Sequence, residues 1–315
     1  MKLVGLTTYG INVRNAEQQQ LELHNIFGRS LIDIIYDTAT VAKKTYENNK
    51  EEEAVFTFDE VKKEIIRNED GQDLYQILYL RVKTGEYGTE SEIVDSTTGD
   101  LVYTRNPRQA DVMPFGCCII IPCGEYVSGV IVLQSLGRMG ISTVMKKRLN
   151  EYVRAVNGSL RFVMGTIVPK VYLERFFKNG ILKAVRLIRY GIPDDDADRY
   201  GVDKKVKSIV EERIIRKPTG FLRNKTDALK ECIAGTRRYD EVVQIDGFEI
   251  DDLKLEFGMG KRNKTISLKN IDNITASEDI SEDVIIENGH PTFDSLCEVM
   301  KETGEFYLRA KGLLL

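Results

Sequence analysis

The sequence lacks several residue types and patterns on which enzyme and membrane functions often depend. Tryptophan is absent, and histidine occurs only at His24 and His290 in 315 residues. Two histidines cannot build a multi-histidine metal site, and they leave few histidine-based acid–base mechanisms. Apolar runs are short, as in the segment 117–121, so we expect no membrane span. The first residues lack a long apolar stretch and a small-residue cleavage site, so we expect no secretory signal.

Cysteine is also sparse. The five cysteines are odd in number and irregularly spaced, which favours a reducing cytosol over a disulfide framework and predicts a cytoplasmic protein. Cys117 and Cys118 are adjacent on an expected strand, so they point to opposite sides, cannot share a metal and are interpreted as core residues. The motifs HExxH, GxSxG, GxGxxG and a pair of CxxC motifs are all missing, and no cofactor is expected from them.

The charge that is present is unevenly distributed. Residues 1–137 contain 13 Lys+Arg and 21 Asp+Glu, and residues 190–315 contain 20 and 26. Residues 138–189 contain 12 Lys+Arg against only Glu151 and Glu174, although the whole chain has a net charge of −4. A basic stretch inside an acidic chain is typical of a face that binds a polyanion. The alternative is that these cations pair with the acidic segments on either side or scatter over several faces.

Hydrophobic periodicity predicts an α+β fold, with a mostly antiparallel or mixed sheet and flanking helices, followed by a smaller α+β part. We expect two domains, 1–191 with the basic segment 138–189, and 192–315 with a basic hairpin and a C-terminal helix. The expected helices are 15–45, 59–67, one beginning at 141, 169–178, 204–217, 224–234 and 291–303. The expected strands are 2–13, 54–58, 74–83, 92–103 as a hairpin, 115–122, 126–134, 160–167, 182–190, 240–245, 252–257 and 265–268.

A Gly-x-x-Gly motif precedes the basic helix. Gly137 and Gly140 lie between a buried strand and that helix, where glycine lets a backbone approach a phosphate and the helix N-terminus offers free N–H groups. The motif lacks the Lys-Ser/Thr ending of a P-loop, and a plain strand-to-helix turn remains the alternative. The residues expected to bind phosphate are Gly137, Arg138, Gly140, Lys146, Lys147, Arg148, Arg154 and Arg161.

A second motif, Asp240 followed by Asp252-Leu253-Lys254, has the ligand order of PD-(D/E)xK metal-dependent nucleases. In that chemistry two carboxylates, here Asp240 and Asp252, hold Mg²⁺ while the lysine orients water or stabilises developing charge. The pattern is short, and Asp252, Lys254 and Glu256 also fit one polar face of an ordinary half-buried strand. Mg²⁺ is therefore expected only if the nuclease alternative holds.

Three weaker features complete the candidates. The cluster 194–198 fails as an EF-hand, because Arg199 stands where glycine is needed, and it fits a helix N-terminus better, with a Mg²⁺ site as the alternative. Gly258-Met-Gly-Lys261 resembles a truncated phosphate loop but favours a hairpin. His24 is interpreted as structural, and His290 as an exposed loop residue.

These observations lead to one principal expectation and two alternatives. The leading hypothesis is a nucleic-acid-binding accessory protein that contacts the phosphate backbone through residues 137–189. A bacterial or mobile-element setting such as antiviral defence would suit such a chain, although no residue points to it. The first alternative is the metal-dependent nuclease. The second is a protein–protein interaction module, in which the basic face docks on an acidic partner or on another copy of the chain.

Overall fold

A computed structural model describes residues 3–137, 139–166, 181–190, 210–217, 250–259, 262–267 and 277–314, together with 228, 231, 236–237 and 241–243. The helices are α1 (Leu31–Val41), α2 (Ser142–Val156) and α3 (Phe293–Ala310). The strands are β1 (Val4–Arg14), β2 (Gln20–Leu21), β3 (Glu47–Asn49), β4 (Ala54–Arg67), β5 (Asp73–Glu86), β6 (Ser91–Val94), β7 (Leu101–Arg105), β8 (Asp111–Pro122), β9 (Gly129–Leu136), β10 (Met139–Gly140), β11 (Arg161–Thr166), β12 (Ile181–Tyr190), β13 (Val210–Arg216), β14 (Asp252–Met259), β15 (Arg262–Ser267), β16 (Ser277–Asp279), β17 (Ile286–Glu287) and β18 (His290–Pro291). This mixture of helices and antiparallel strands confirms the α+β class.

The chain divides into two compact units. Unit 1 comprises residues 1–165 and 277–315, and unit 2 comprises residues 166–276. The domain boundary expected near residue 192 falls outside the described residues and stays a prediction.

A ten-stranded sheet forms the centre of unit 1. Its main order is β11-β1-β9-β8-β5-β4-β3, with β2 and β16 paired to β1 and β10 paired to β9. The segment from Phe115 to Pro122 in β8 is buried throughout, as its continuous apolar sequence predicts for a central strand covered on both faces. Antiparallel pairing of β8 with β9 confirms the expected hairpin.

Helices cover both faces of this sheet. On one face, α3 packs so closely that a Cβ at Gly304 would come within 2.4 Å of Ile120 Cδ1, and a Cβ at Gly116 within 2.4 Å of Leu296 Cδ2. Alternation along β8 places Gly116 and Ile120 on this face and Phe115 on the opposite one. Phe115 pairs in register with Val82, and Val82 with Phe58, whose ring lies 6.3 Å from that of Tyr152 on α2.

Local sequence explains where the helices lie. The hydroxyl oxygen of Ser30 accepts a hydrogen bond from the backbone N–H of Asp33 (3.0 Å) and so caps the N-terminus of α1. The buried residues of α3 recur every three or four positions, as in a helix with one apolar face; they are Phe293, Leu296, Cys297, Met300, Thr303, Gly304, Tyr307 and Leu308.

The described part of unit 2 contains a four-stranded antiparallel sheet in the order β13-β12-β14-β15. One face carries its apolar core, formed by Val185, Leu187, Leu253, Leu255 and Phe257. The opposite face carries charged side chains, as the alternation of β14 predicts. Pairing of Met259 with Arg262 confirms the expected hairpin around the Gly258–Lys261 motif, although residues 260–261 themselves are not described.

Three helix predictions are wrong. Residues 15–30 form a turn, the short strand β2 and a loop, so the helix expected over 15–45 is limited to α1. Asn15 accepts a hydrogen bond from the backbone N–H of Gln19 (2.9 Å), which makes it a turn residue instead of a helix cap. Residues 59–67 belong to β4, and residues 210–216 of the helix expected over 204–217 form β13.

Several predictions lie outside the described residues. They are the helix 169–178, most of the helix 224–234, half of the strand 240–245 and the acidic cluster 194–198. The described half of that strand, residues 241–243, forms a turn and a loop, so this part of the strand prediction is wrong. Among the described residues, no helix combines the length and the apolar character needed to cross a membrane.

Candidate nucleic-acid interface

The Gly-x-x-Gly motif forms a β-hairpin turn that leads into the basic helix. Gly137 has a φ of +62°, which favours glycine, and its N–H donates to the carbonyl of Leu3 (2.8 Å). Gly140 lies on β10 opposite Ser135, where an added Cβ would make only an ordinary contact at 3.7 Å. Arg138 lies outside the described residues. The conformation of the turn therefore explains why residue 137 is a glycine.

Helix α2 carries the basic residues on the side away from its apolar core. Its buried residues are Met145, Leu149, Tyr152 and Val153. No side chain caps its N-terminus, and its first turn contains no acidic residue. The solvent-facing side divides into two parts, one bound to carboxylates and one without acidic partners among the described residues.

Two of the predicted phosphate-binding residues are engaged by carboxylates. Lys147 Nζ lies 2.7 Å from Glu52 Oε1, and this hydrogen bond raises the pKa of Lys147 above its usual value. Arg148 lies 2.6 Å from Glu47 and 3.3 Å from Glu151, and its guanidinium stands 5.2 Å from the ring centroid of Phe56. These contacts join α2 to the segment that contains β3 and the acidic loop 48–53. A phosphate would have to displace these carboxylates.

Three other predicted residues are exposed and have no acidic partner among the described residues: Lys146, Arg154 and Arg161. Lys146, Asn150 and Arg154 are spaced by four positions, so they line one side of α2. Asn150 Oδ1 accepts a hydrogen bond from the backbone N–H of Phe162 (3.0 Å), which brings the start of β11 beside that side of the helix. Arg161 immediately precedes Phe162. We call Lys146, Arg154 and Arg161 the cationic face.

The remaining described cations of the basic segment lie in unit 2. Arg186 bridges Glu256 (3.2 Å) and Glu212 (3.3 Å) across three neighbouring strands, and these hydrogen bonds raise its pKa. Arg189 is paired with Glu211, and Lys183 is exposed. Four of the eight described cations between residues 138 and 189 are thus bound to carboxylates, as the alternative interpretation of the charge pattern expected.

Two of the nuclease candidates, Asp252 and Lys254, lie on β14, and the third, Asp240, lies outside the described residues. Asp252 is fully buried, and Lys254 is half-buried on the face that also carries Glu256. Lys254 lies opposite Arg186 in the register of β12 and β14, within the ion-paired surface of that sheet. Asp240 lies outside the described residues, so the two-carboxylate site stays a prediction.

No group of three His, Cys, Asp or Glu side chains in the described part of the chain is arranged to hold a metal ion. His24 lies in the turn after β2. His290 is partly buried on β18 and pairs with Glu287 in the short β17–β18 hairpin, so the prediction of an exposed loop residue is wrong. Cys117 and Cys118 are fully buried on β8, as expected for core cysteines, and burial raises the pKa of both thiols.

Sequence reasoning missed the residues that divide the basic helix into two parts. Glu47 and Glu52 bind Arg148 and Lys147, and Asn150 ties the helix to β11. The run of acidic residues at 51–53 was a visible signal of a counter-charge, but its pairing with a helix almost a hundred residues later depends on the fold.

Comparison with known proteins adds no family to this picture. No protein-family model matches the sequence, and no curated protein is significantly similar to it.

Proposed function

We propose that this protein binds the phosphate backbone of nucleic acid through the cationic face, as an accessory protein without base-specific recognition. The observation that carries the proposal is the presence of three exposed cations on one side of α2 and the adjoining end of β11, with no acidic partner among the described residues. Lys147 and Arg148, by contrast, stabilise the helix against the acidic loop. The proposed binding surface therefore includes only some of the cations of the basic segment 138–189.

Electrostatics supports a non-specific mode of binding. Arg and Lys side chains that face solvent contact phosphates and release condensed counterions, which makes affinity fall steeply with salt. Acidic residues elsewhere in the chain repel the polyanion and confine contact to the cationic face. Three phosphate contacts on duplex DNA correspond to a log–log salt slope of about −2.7.

The test compares two triple charge reversals of the full chain. K146E/R154E/R161E removes the cationic face, whereas K43E/K50E/R108E makes the same change in net charge at other exposed cations. Fluorescence anisotropy with double-stranded DNA, single-stranded DNA and RNA would be measured across a salt series. We expect the first variant to lose binding and the second to keep the wild-type salt slope.

Equal loss in the two variants would refute a local binding surface, and absence of binding by the wild type at low salt would refute the proposal as a whole. Far-UV circular dichroism of each variant checks that the fold is retained.

A further inference from the structure

A second surface with a distinct chemistry lies on the β6–β7 hairpin of unit 1. These two strands form a separate two-stranded sheet. The base of the hairpin is fixed by Arg105, which donates hydrogen bonds to the Ser91 hydroxyl (2.9 Å), the Glu86 carbonyl (3.2 Å) and the Thr89 hydroxyl (3.3 Å). We call residues 89–104 the acidic arm.

The tip of the acidic arm is equally well defined. The carboxylate of Asp95 accepts hydrogen bonds from the backbone N–H groups of Thr97 (2.7 Å) and Thr98 (3.0 Å), and Gly99 adopts a φ of +80°. Hydrogen bonds from the Thr98 and Thr97 backbones hold the pKa of Asp95 below its ordinary value. The arm is therefore preorganised before it meets any partner, which lowers the entropic cost of docking.

Apolar side chains on both sides of the arm face solvent. Ile93 lies opposite Tyr103, and Val94 lies opposite Leu101 on the other side of the hairpin, with Val102 at a bulge. Their exposed fractions range from 46% for Tyr103 to 66% for Val102. Contiguous exposed apolar residues mark interaction sites. The arm therefore has the composition of a docking element.

The charge of the arm indicates what it docks on. Residues 89–104 contain Glu90, Glu92, Asp95 and Asp100 but no lysine or arginine. All four carboxylates are exposed and form no ion pair with the described residues, and Asp95 accepts hydrogen bonds from backbone N–H groups. Such a surface is complementary to a basic partner. The cationic face offers three exposed cations that equally lack an acidic partner in the described chain.

We propose that the acidic arm docks on the cationic face of a second copy of this chain. A twofold axis between the copies would make the contact twice, once in each direction. The proposal uses the same cationic face as nucleic-acid binding but does not depend on that function. Because both occupants need the same cations, nucleic acid and the arm compete, and the arm shields the cationic face in the absence of nucleic acid.

A charge-swap experiment on the full chain tests this pairing without nucleic acid. E90K/E92K/D100K reverses the charge of the arm, and K146E/R154E/R161E reverses that of the cationic face, so each variant alone brings like charges together at both contacts. Mixed in equal amounts, the two variants restore opposite charges at both contacts. Sedimentation velocity at low salt should show a wild-type dimer, a monomer for each variant and a dimer for the mixture. Raising the salt concentration should dissociate the wild-type dimer.

A matched pair of variants tests the apolar part of the contact. V102D on the arm should dissociate the dimer, whereas V41D, at a valine that is 87% exposed at the end of α1, should leave it intact. A wild-type monomer at all concentrations, a dimer that persists in E90K/E92K/D100K, or a mixture that stays monomeric would overturn the proposal. A monomer that binds nucleic acid refutes the arm contact alone, and a salt-sensitive dimer that binds no nucleic acid refutes the proposed function alone.

Discussion

Replacing Arg148 with alanine is expected to reduce the stability of the protein and to leave the salt slope of nucleic-acid binding unchanged. The side chain is only 16% exposed, pairs with Glu47 at 2.6 Å and lies over the ring of Phe56 at 5.2 Å. A partly exposed ion pair contributes about 0.5–1 kcal/mol. A cation–π contact adds about 0.5–1 kcal/mol, and burial of the aliphatic stem adds a similar amount.

These contributions predict a loss of about 2 kcal/mol in the free energy of unfolding. Lys146→Ala provides the control, because Lys146 is exposed and such surface substitutions change stability by about 0.5 kcal/mol or less. Urea unfolding would be followed by far-UV circular dichroism, since the chain has no tryptophan. If Arg148→Ala unfolds at the same urea concentration as Lys146→Ala, the structural role assigned to Arg148 is wrong.

A double-mutant cycle isolates the ion pair from the other contacts of Arg148. Arg148→Ala and Glu47→Ala should together cost less than the sum of the two single changes, with a coupling energy of about 0.5–1 kcal/mol. Strict additivity would mean that the two side chains do not interact in solution.

Three further outcomes are expected. Gly304→Val should destabilise the protein in thermal unfolding, because a side chain there meets Ile120 at van der Waals overlap, whereas Gly158→Ala, with open space around it, should not. Cys123 should react with iodoacetamide before Cys297 in peptide mass spectrometry of the native protein, because burial raises the pKa of the Cys297 thiol to about 12; faster labelling of Cys297 would contradict its burial. Asp33→Asn should lower the free energy of unfolding at pH 7, measured by urea titration. This loss should shrink as the pH falls through the folded-state pKa of Asp33, and a loss that does not vary with pH would refute the prediction.

The sign of the last prediction follows from the surroundings of Asp33. Partial burial alone would raise the pKa of this carboxyl group, but hydrogen bonds from Lys63 and Ser30 outweigh it and lower the pKa. A depressed folded-state pKa stabilises the fold above the unfolded value, near 3.9, and that contribution disappears on acidification.

Sequence patterns predicted the strands with continuous apolar content and the turns with strong local chemistry. The β8 segment is apolar enough to exclude any place but the sheet centre, and the turn at Thr98-Gly99-Asp100 needs a residue with positive φ, which Gly99 supplies. These predictions succeeded because they depend on the local sequence alone and need no distant partner. The helix α3 was found for the same reason, since its apolar spacing is regular.

The failures came from segments whose conformation depends on a distant partner. Residues 59–67 are rich in Glu and Lys and have apolar residues four apart, which favours a helix, but pairing with β5 along the full length of β4 makes them a strand. Asp59, expected to cap a helix, instead lies at a bulge and pairs with Lys83 at 3.1 Å. Propensity carried no information about that pairing.

The candidate site was predicted in outline and corrected in detail. Charge counting located α2, but it could not separate Lys146 from Lys147, because neighbouring residues on a helix face different surroundings. Glu52 lies far away in sequence, and only the fold brings it to Lys147. Which basic residues of α2 are paired with a carboxylate therefore depends on the tertiary structure.

The discontinuity of unit 1 also determines the order in which its parts become available during synthesis. Strand β1 is synthesised before unit 2, whereas its partner β16 and the covering helix α3 follow the whole of unit 2. Until α3 is synthesised, it cannot cover the sheet face around Gly116 and Ile120. Closure of unit 1 thus joins segments that are far apart in sequence, and long sequence separations of this kind slow folding.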